Sequence, residues 1–238
     1  MKKLIGFIIL FPLILILVLG YLGLVPYLSG YIGPKPKDLG IKISQSAYNN
    51  YYKKSGVKQE GILKNNNVNE SIKFIGSHTV QESFSSEEIS SMADLRKWVY
   101  FPFTNTQVRF NSDGSAEASG ILKFNTGYQW LLAIGVAPSD IEKGMTIAKI
   151  PKIDLPFYVK VDGSVKNNRV TTDISQLEIG RITIPQNFVK QYTSAVERFV
   201  EDKFIRERPG VNIQSMTVQD SKIIFDGTLP DIEATVNQ

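Results

Sequence analysis

Cysteine is absent from the 238 residues, and histidine occurs once, at His78. Without cysteine the chain has no zinc finger, no dithiol redox site, no disulfide framework and no thiol nucleophile. A single histidine leaves one place for imidazole chemistry. No G-x-S-x-G turn exists to present a serine beside it, and no Gly-rich phosphate loop is present. Charge of one sign is also lacking. The 27 Lys plus Arg against 23 Asp plus Glu give a net charge of +4, and the basic pairs Lys166/Arg169 and Arg206/Arg208 are interleaved with Asn or Glu. That pattern reads as solvated surface, not as a nucleic-acid footprint. With 42% hydrophobic and 21% charged residues, the chain is neither disordered nor collagen-like.

The apolar residues are concentrated at the start. Leu4 to Leu28 carries no charge and includes Ile14-Leu15-Ile16-Leu17-Val18-Leu19. A helix needs about 20 apolar residues to cross a bilayer core. Lys2 and Lys3 favour a cytoplasmic N-terminus, and Tyr21, Tyr27 and Tyr31 suit the far interface. A cleaved signal peptide would have a shorter apolar run, of about 7–15 residues, and an A-x-A-like site after it; the run is longer and no such site follows. The expectation is a transmembrane anchor over residues 1–30, a juxtamembrane linker over 31–43 stiffened by Gly33-Pro34-Lys35-Pro36, and an extracytoplasmic domain over 44–238. Removing Lys2 and Lys3 leaves 25 bases against 23 acids in residues 31–238.

Beyond the linker, strands arrive as hairpins between helices. Ser44 or Ser46 can cap a helix that Gly56 stops. Residues 70–83 alternate in part and read as strand. Phe84-Ser85-Ser86-Glu87-Glu88-Ile89 is a capping box with its hydrophobic staple, opening a helix from Ser86 to about Lys97. Turns at Asn111-Ser112-Asp113-Gly114, Lys166-Asn167-Asn168 and Asp220-Ser221 predict three hairpins. Two shorter helices are predicted over Tyr128–Val136 and from Pro138, with Ser139 as a cap. Pro185 sits at the first position of a long helix that Pro209-Gly210 stops. The pattern predicts an α+β fold with antiparallel sheet, the hairpins packed with the long amphipathic helix. Helix followed by hairpin occurs twice, over 86–124 and 185–228.

No catalytic residue, metal ligand or cofactor is expected. His78 reads as structural. Asn111-Ser112-Asp113-Gly114-Ser115 resembles part of a calcium loop, but Arg109 would fall where a carboxylate is required, so a turn is the better reading. Glu87-Glu88 and Asp140/Glu142 complement helix dipoles. The long helix is more informative. Phe188, Tyr192, Ala195 and Phe199 form an apolar stripe, widened by Val189, Val196, Val200 and Phe204. Such a stripe either packs on a closed sheet or lines a groove for an acyl or isoprenoid chain, and both uses take the same residues. The groove candidates are Phe188, Val189, Tyr192, Val196, Phe199 and Val200.

Leu177-Glu178-Ile179-Gly180-Arg181-Ile182-Thr183-Ile184-Pro185, the helix after it, Val211–Val218 and Ile224-Phe225-Asp226-Gly227-Thr228-Leu229-Pro230 together resemble the C-terminal half of small membrane-anchored bacterial envelope proteins of the YpmS-like and LmeA-like families. These are similar to tubular lipid-binding (TULIP-like) folds, with a curved sheet around a long helix. Ser85-Ser86-Glu87-Glu88-Ile89 resembles their helix start, although Ser90-Ser91-Met92 stands where an Asn is usual. The likeness runs over roughly residues 68–230 and brings no catalytic residues. It implies binding of a lipid or another amphipathic envelope component. The alternative is an interaction module docking on another envelope protein through an exposed strand edge.

The anchor reading has a direct check. After an alkaline carbonate wash the full chain is expected in the membrane pellet, and protease added to intact spheroplasts is expected to cut the domain. Release into the wash, or protection from the protease, would rule it out.

Overall fold

Local capping signals set the first helices. Our computed structural model describes residues 35–62, 67–148, 152–180 and 182–237; the expected anchor over 1–30 lies outside them. Among the described residues no helix is long and apolar enough to cross a membrane. Helix α1 (Gln45–Ser55) begins where the Ser44 side chain accepts the Ala47 amide, and it stops at Gly56, which adopts φ 70°. Gly56 also has no space for a side chain, since a Cβ would fall 2.5 Å from His78 Nε2. Helix α2 (Ser86–Asp94) opens on the capping box. Ser85 Oγ accepts the Glu88 amide at 3.2 Å, and Glu88 Oε2 accepts the Ser85 amide at 2.8 Å.

The remaining helices are α3 (Phe124–Ala133), α4 (Pro138–Ala148) and α5 (Gln186–Val200), the last running into a π-helical turn over Glu201–Arg206. Pro185 caps α5 from just outside it. The Ala137 carbonyl, not Ser139, receives the first amides of α4.

The strands are β1 (Lys58–Ile62), β2 (Ile72–Ile75), β3 (His78–Ser85), β4 (Phe103–Phe110), β5 (Ser115–Leu122), β6 (Leu155–Lys166), β7 (Arg169–Ile179), β8 (Ile182–Thr183), β9 (Asn212–Gln219), β10 (Lys222–Leu229) and β11 (Ile232–Val236). The three predicted hairpins are β4–β5, β6–β7 and β9–β10. Asn167 and Asn168 adopt φ 50° and 63°, and Asp220 and Ser221 φ 52° and 57°, as tight two-residue hairpin turns require.

Strand β6 joins the parts of the larger, eight-stranded antiparallel sheet. One of its edges pairs with β7 along nearly its whole length. The other pairs with β5 over Leu155–Asp162 and then with β9 over Ser164–Lys166. Beyond β9 lie β10 and β3. The α+β expectation therefore holds, with one correction to the antiparallel pattern. In the smaller sheet, ordered β1-β11-β2, the outer strand β1 runs parallel to β11. A parallel pair needs a long connection, and here almost the whole domain is that connection.

The closed core lies where α1 and the π turn cover β3, β9 and β10. Val80, Phe84, Val165, Ile205, Ile213 and Phe225 are buried there. His78 has a structural place, with Nδ1 2.9 Å from Asp231 Oδ1 and Nε2 2.8 Å from the Ser55 carbonyl oxygen.

Both outer strands of the β4–β7 half are closed by helices acting through side chains. Along β4, Ser86 Oγ accepts the Phe110 amide at 3.0 Å, Ser90 Oγ accepts the Val108 amide at 2.7 Å, and Asp94 Oδ1 accepts the Thr106 amide at 2.9 Å. Ser90 Oγ also donates to the Val108 carbonyl at 3.1 Å. Along β7, Glu201 takes the Val170 amide and Glu197 the Thr172 amide. Four helical residues advance about 6 Å and two strand residues about 7 Å, so a stripe at i, i+4, i+8 keeps step with alternate amides of a strand.

Ser90→Ala strands the Val108 amide in a fully buried site, at an expected cost of about 1–3 kcal/mol. Ser85→Ala removes the cap for about 0.5–2 kcal/mol. Chemical denaturation measures both, and an unchanged midpoint for Ser90→Ala would contradict the edge-sealing role.

Candidate functional site

The register of β4 to β7 sorts their side chains onto two unlike faces. Residues directly opposite one another point to the same side. On one side the rows are Phe110, Ala116, Val161, Ile174 and Val108, Ala118, Val159, Leu177, with Phe157 and Ile179 in the next row. On the other side stand Arg109, Glu117, Lys160, Gln176 and Gln107, Ser119, Tyr158, Glu178.

The apolar face is incompletely covered. Of its first two rows, Phe110 is buried, while Ala116, Val161, Ile174, Val108, Ala118, Val159 and Leu177 are only half-buried, and Ile179 is 38% exposed. The flanking helices pack on the outer strands, α2 on β4 and α5 on β7. We read this half-covered face as an apolar trough with β5 and β6 as its floor.

Aromatic rings cross this region from one wall to the other. Phe157 stands 5.5 Å from Phe103, and Phe103 stands 6.1 Å from Trp130 on α3. Trp130 lies 5.7 Å from Phe204 in the π turn, and Phe204 lies 6.1 Å from Phe199 on α5. All five rings are half-buried. Phe157 lies over β5 because the opposite residue is Gly120, where a Cβ would come within 3.1 Å of the ring.

The six groove candidates on α5 do not act as one surface. Val189 is buried at 5% exposure and belongs to the contact with the sheet. Phe199 joins the aromatic belt, and Val200 is half-buried beside it. Phe188 and Tyr192 stack on each other at 4.7 Å, with Phe188 42% exposed, and Val196 is 48% exposed. Sequence reasoning placed Phe204 in the stripe of the long helix but missed the floor of the trough and Trp130. The alternation in β5 and β6 carried a signal for the floor, but the pairing that aligns the strands is long-range.

The polar face is covered by the linker. Leu39 is buried, its amide donates to Gln107 Oε1 at 2.7 Å, and its carbonyl accepts from Arg109. The Lys37 ammonium sits 3.7 Å above the Tyr158 ring. Beneath lies Glu117, which accepts from Tyr158 at 2.5 Å, from Asn111 at 3.1 Å and from Arg109. Burial alone would raise the Glu117 carboxyl, but the hydrogen bonds from Tyr158, Arg109 and Asn111 outweigh it and hold the group at about 2. Among the described residues no cluster of three or more His, Asp and Glu side chains is placed to hold a metal ion.

No family model matches the chain, and neither a curated protein nor a solved structure matches it significantly.

The Glu117 network predicts an acid response. A depressed carboxyl stabilises the fold fully above its ordinary value of 4.5, and the stabilisation is lost as pH falls toward the folded value. The loss amounts to about 3 kcal/mol when complete. Glu117→Gln is expected to be less stable than wild type at pH 7 and to lose less stability between pH 5 and pH 3. Parallel denaturation curves across that window would show that Glu117 is not the acid-sensitive group.

Proposed function

We propose that this chain is a membrane-anchored, extracytoplasmic binding protein for a lipid or other amphipathic envelope component, and not an enzyme. The observation that supports this most is the half-covered apolar face of β4 to β7, bounded by α2 and α5 and crossed by the aromatic belt. A protein that only needed stability would gain about 25 cal/mol for every further Å² of that face it covered. An apolar concavity with few convergent polar groups is the usual form of a small-molecule site. The uncharged run at residues 4–28 and the resemblance to YpmS-like and LmeA-like envelope proteins point the same way.

The mechanism is passive. Val108, Ala118, Val159 and Leu177 shield an acyl or isoprenoid chain from water at about 0.8 kcal/mol per buried CH2. Ten such groups outweigh ordering losses of several kcal/mol. Docking on a partner through a free strand edge is less favoured, because outward amides of β4 and β7 are already taken by Ser86, Ser90, Asp94, Glu197 and Glu201.

Native mass spectrometry of the full chain, released from mild detergent, tests the reading. Wild type is expected to carry a lipid-sized adduct. Ala118→Phe places a ring in the trough and is expected to weaken retention about tenfold, the effect of losing roughly two CH2 contacts. Val196→Phe, on the exposed side of α5, is the control and is expected to change neither retention nor stability. An empty wild-type chain that co-purifies with a stoichiometric protein would favour the interaction-module reading instead.

A further inference from the structure

Two cavities meet at Arg208, away from the trough floor. The larger, about 630 Å³, lies between β2, the end of α3 and the π turn, with Ile72, Ile75, Ala133 and Ile134 in its wall beside Lys73 and the Lys203–Glu207 ion pair. That volume falls within the range of about 300–1,000 Å³ usual for small-molecule sites. The smaller, about 180 Å³, is bounded by Tyr51, Tyr52, Met92, Arg96 and Glu233. Arg208 and Phe74 line both.

The charges around the smaller cavity do not balance. Arg96 and Glu233 form an ion pair at 2.6 Å, with both side chains largely buried. Arg208 has no such partner. Its guanidinium carbon lies 4.6 Å from the Phe74 ring and 5.0 Å from the Phe204 ring. Among the described residues no carboxylate lies within salt-bridge distance of it, and none of its five N–H groups makes a hydrogen bond. Burial, and then the Arg96 charge, pull Arg208 down to about 10, so it stays cationic at neutral pH. The Tyr51 phenol is pushed up to about 12 by burial and stays a neutral donor.

Arg208 is half-buried. Two aromatic faces hold its guanidinium by cation–π contact, and its N–H groups bond to no protein acceptor among the described residues. A phosphate or carboxylate is the planar, two-oxygen acceptor such a fork matches. The smaller cavity is too small for a whole ligand, and Phe74 and Arg208 stand between it and the larger one.

We infer that Arg208 is an anion-selecting subsite, taking the phosphate or carboxylate head of an amphiphile whose apolar part lies on Ile72, Ile75, Ala133 and Ile134. This rests on the amphipathic-ligand reading of the protein and adds to it a second site, apart from the trough floor, that selects an anionic head group. Phe204 connects the subsite to the aromatic belt, because the same ring faces Arg208 and Trp130.

The test is adduct titration by native mass spectrometry of the full chain in non-ionic micelles. The probes are dihexanoyl phosphatidic acid, dihexanoyl phosphatidylcholine and inorganic phosphate. Wild type is expected to bind the phosphatidic acid about tenfold more tightly than the phosphatidylcholine, an increment of the size one charge-assisted contact supplies. Arg208→Gln is expected to lose that preference while keeping the phosphatidylcholine adduct. Arg208→Lys, which keeps the charge, is expected to retain part of it, and it decides the matter if the Gln variant melts early. Equal binding of both lipids by wild type overturns the head-group inference and leaves the amphipathic reading standing. Binding of neither lipid overturns both. Inorganic phosphate binding as tightly as phosphatidic acid overturns the lipid assignment in favour of a free-anion site.

Discussion

A strand at the edge of a sheet leaves every second amide pointing away from its neighbour, and those amides must be met by something. The β4–β7 half of the large sheet meets this constraint with helices instead of further strands. Ser86, Ser90 and Asp94 on α2 serve three amides of β4, and Glu197 on α5 and Glu201 in the π turn serve two of β7. Much else follows from that choice. A helix spending its polar stripe on a strand edge stands beside the sheet and cannot also lie across the middle of it. The floor formed by β5 and β6 is therefore left half-covered, while outward amides of β4 and β7 are closed to a further strand.

The arrangement also explains which features were legible in the sequence. Signals confined to a few neighbouring residues were readable. The Ser85–Glu88 capping box, the Gly56 stop and the Asn167-Asn168 turn all appear where local chemistry puts them. Features that exist only through distant pairing were not. Ser90 and Ser91 looked like a departure from a familiar helix start, yet both are fully buried, Ser90 on Val108 and Ser91 accepting the Ser44 amide. Strand β1 shows no alternation because most of it is exposed, and β11 shows none because it is buried on both sides in the middle of its sheet.

The candidate site was half legible for the same reason. Amphipathicity identified α5 as a helix with an apolar stripe, but a stripe does not say what faces it. The structure divides the six candidates among a sheet contact at Val189, an aromatic belt at Phe199 and an exposed flank at Phe188 and Val196. The floor opposite was present in the sequence only as alternation: Ala116, Ala118, then Phe157, Val159, Val161. Small side chains on β5 beside larger ones on β6 acquire meaning once the register aligns Ala118 with Val159.

The π turn after α5 ties these regions together. An ordinary helix continued through Glu201–Arg206 would keep one face toward β7. The wider turn, marked by the Glu207 amide bonding back five residues to the Asp202 carbonyl, changes the phase of the side chains that follow. Arg206 returns to Glu201 at 2.6 Å, again at a spacing of five. Ile205 then falls into the closed core at 3% exposure, while Phe204 turns outward to Trp130 and Arg208. Such turns are uncommon and tend to occur at functional sites. Here a single widened turn serves three places at once: Glu201 on the β7 edge, Ile205 in the core, and Phe204 between the aromatic belt and Arg208. Straightening it would leave α5 amphipathic but disconnect the helix from the cation that the head-group inference depends on.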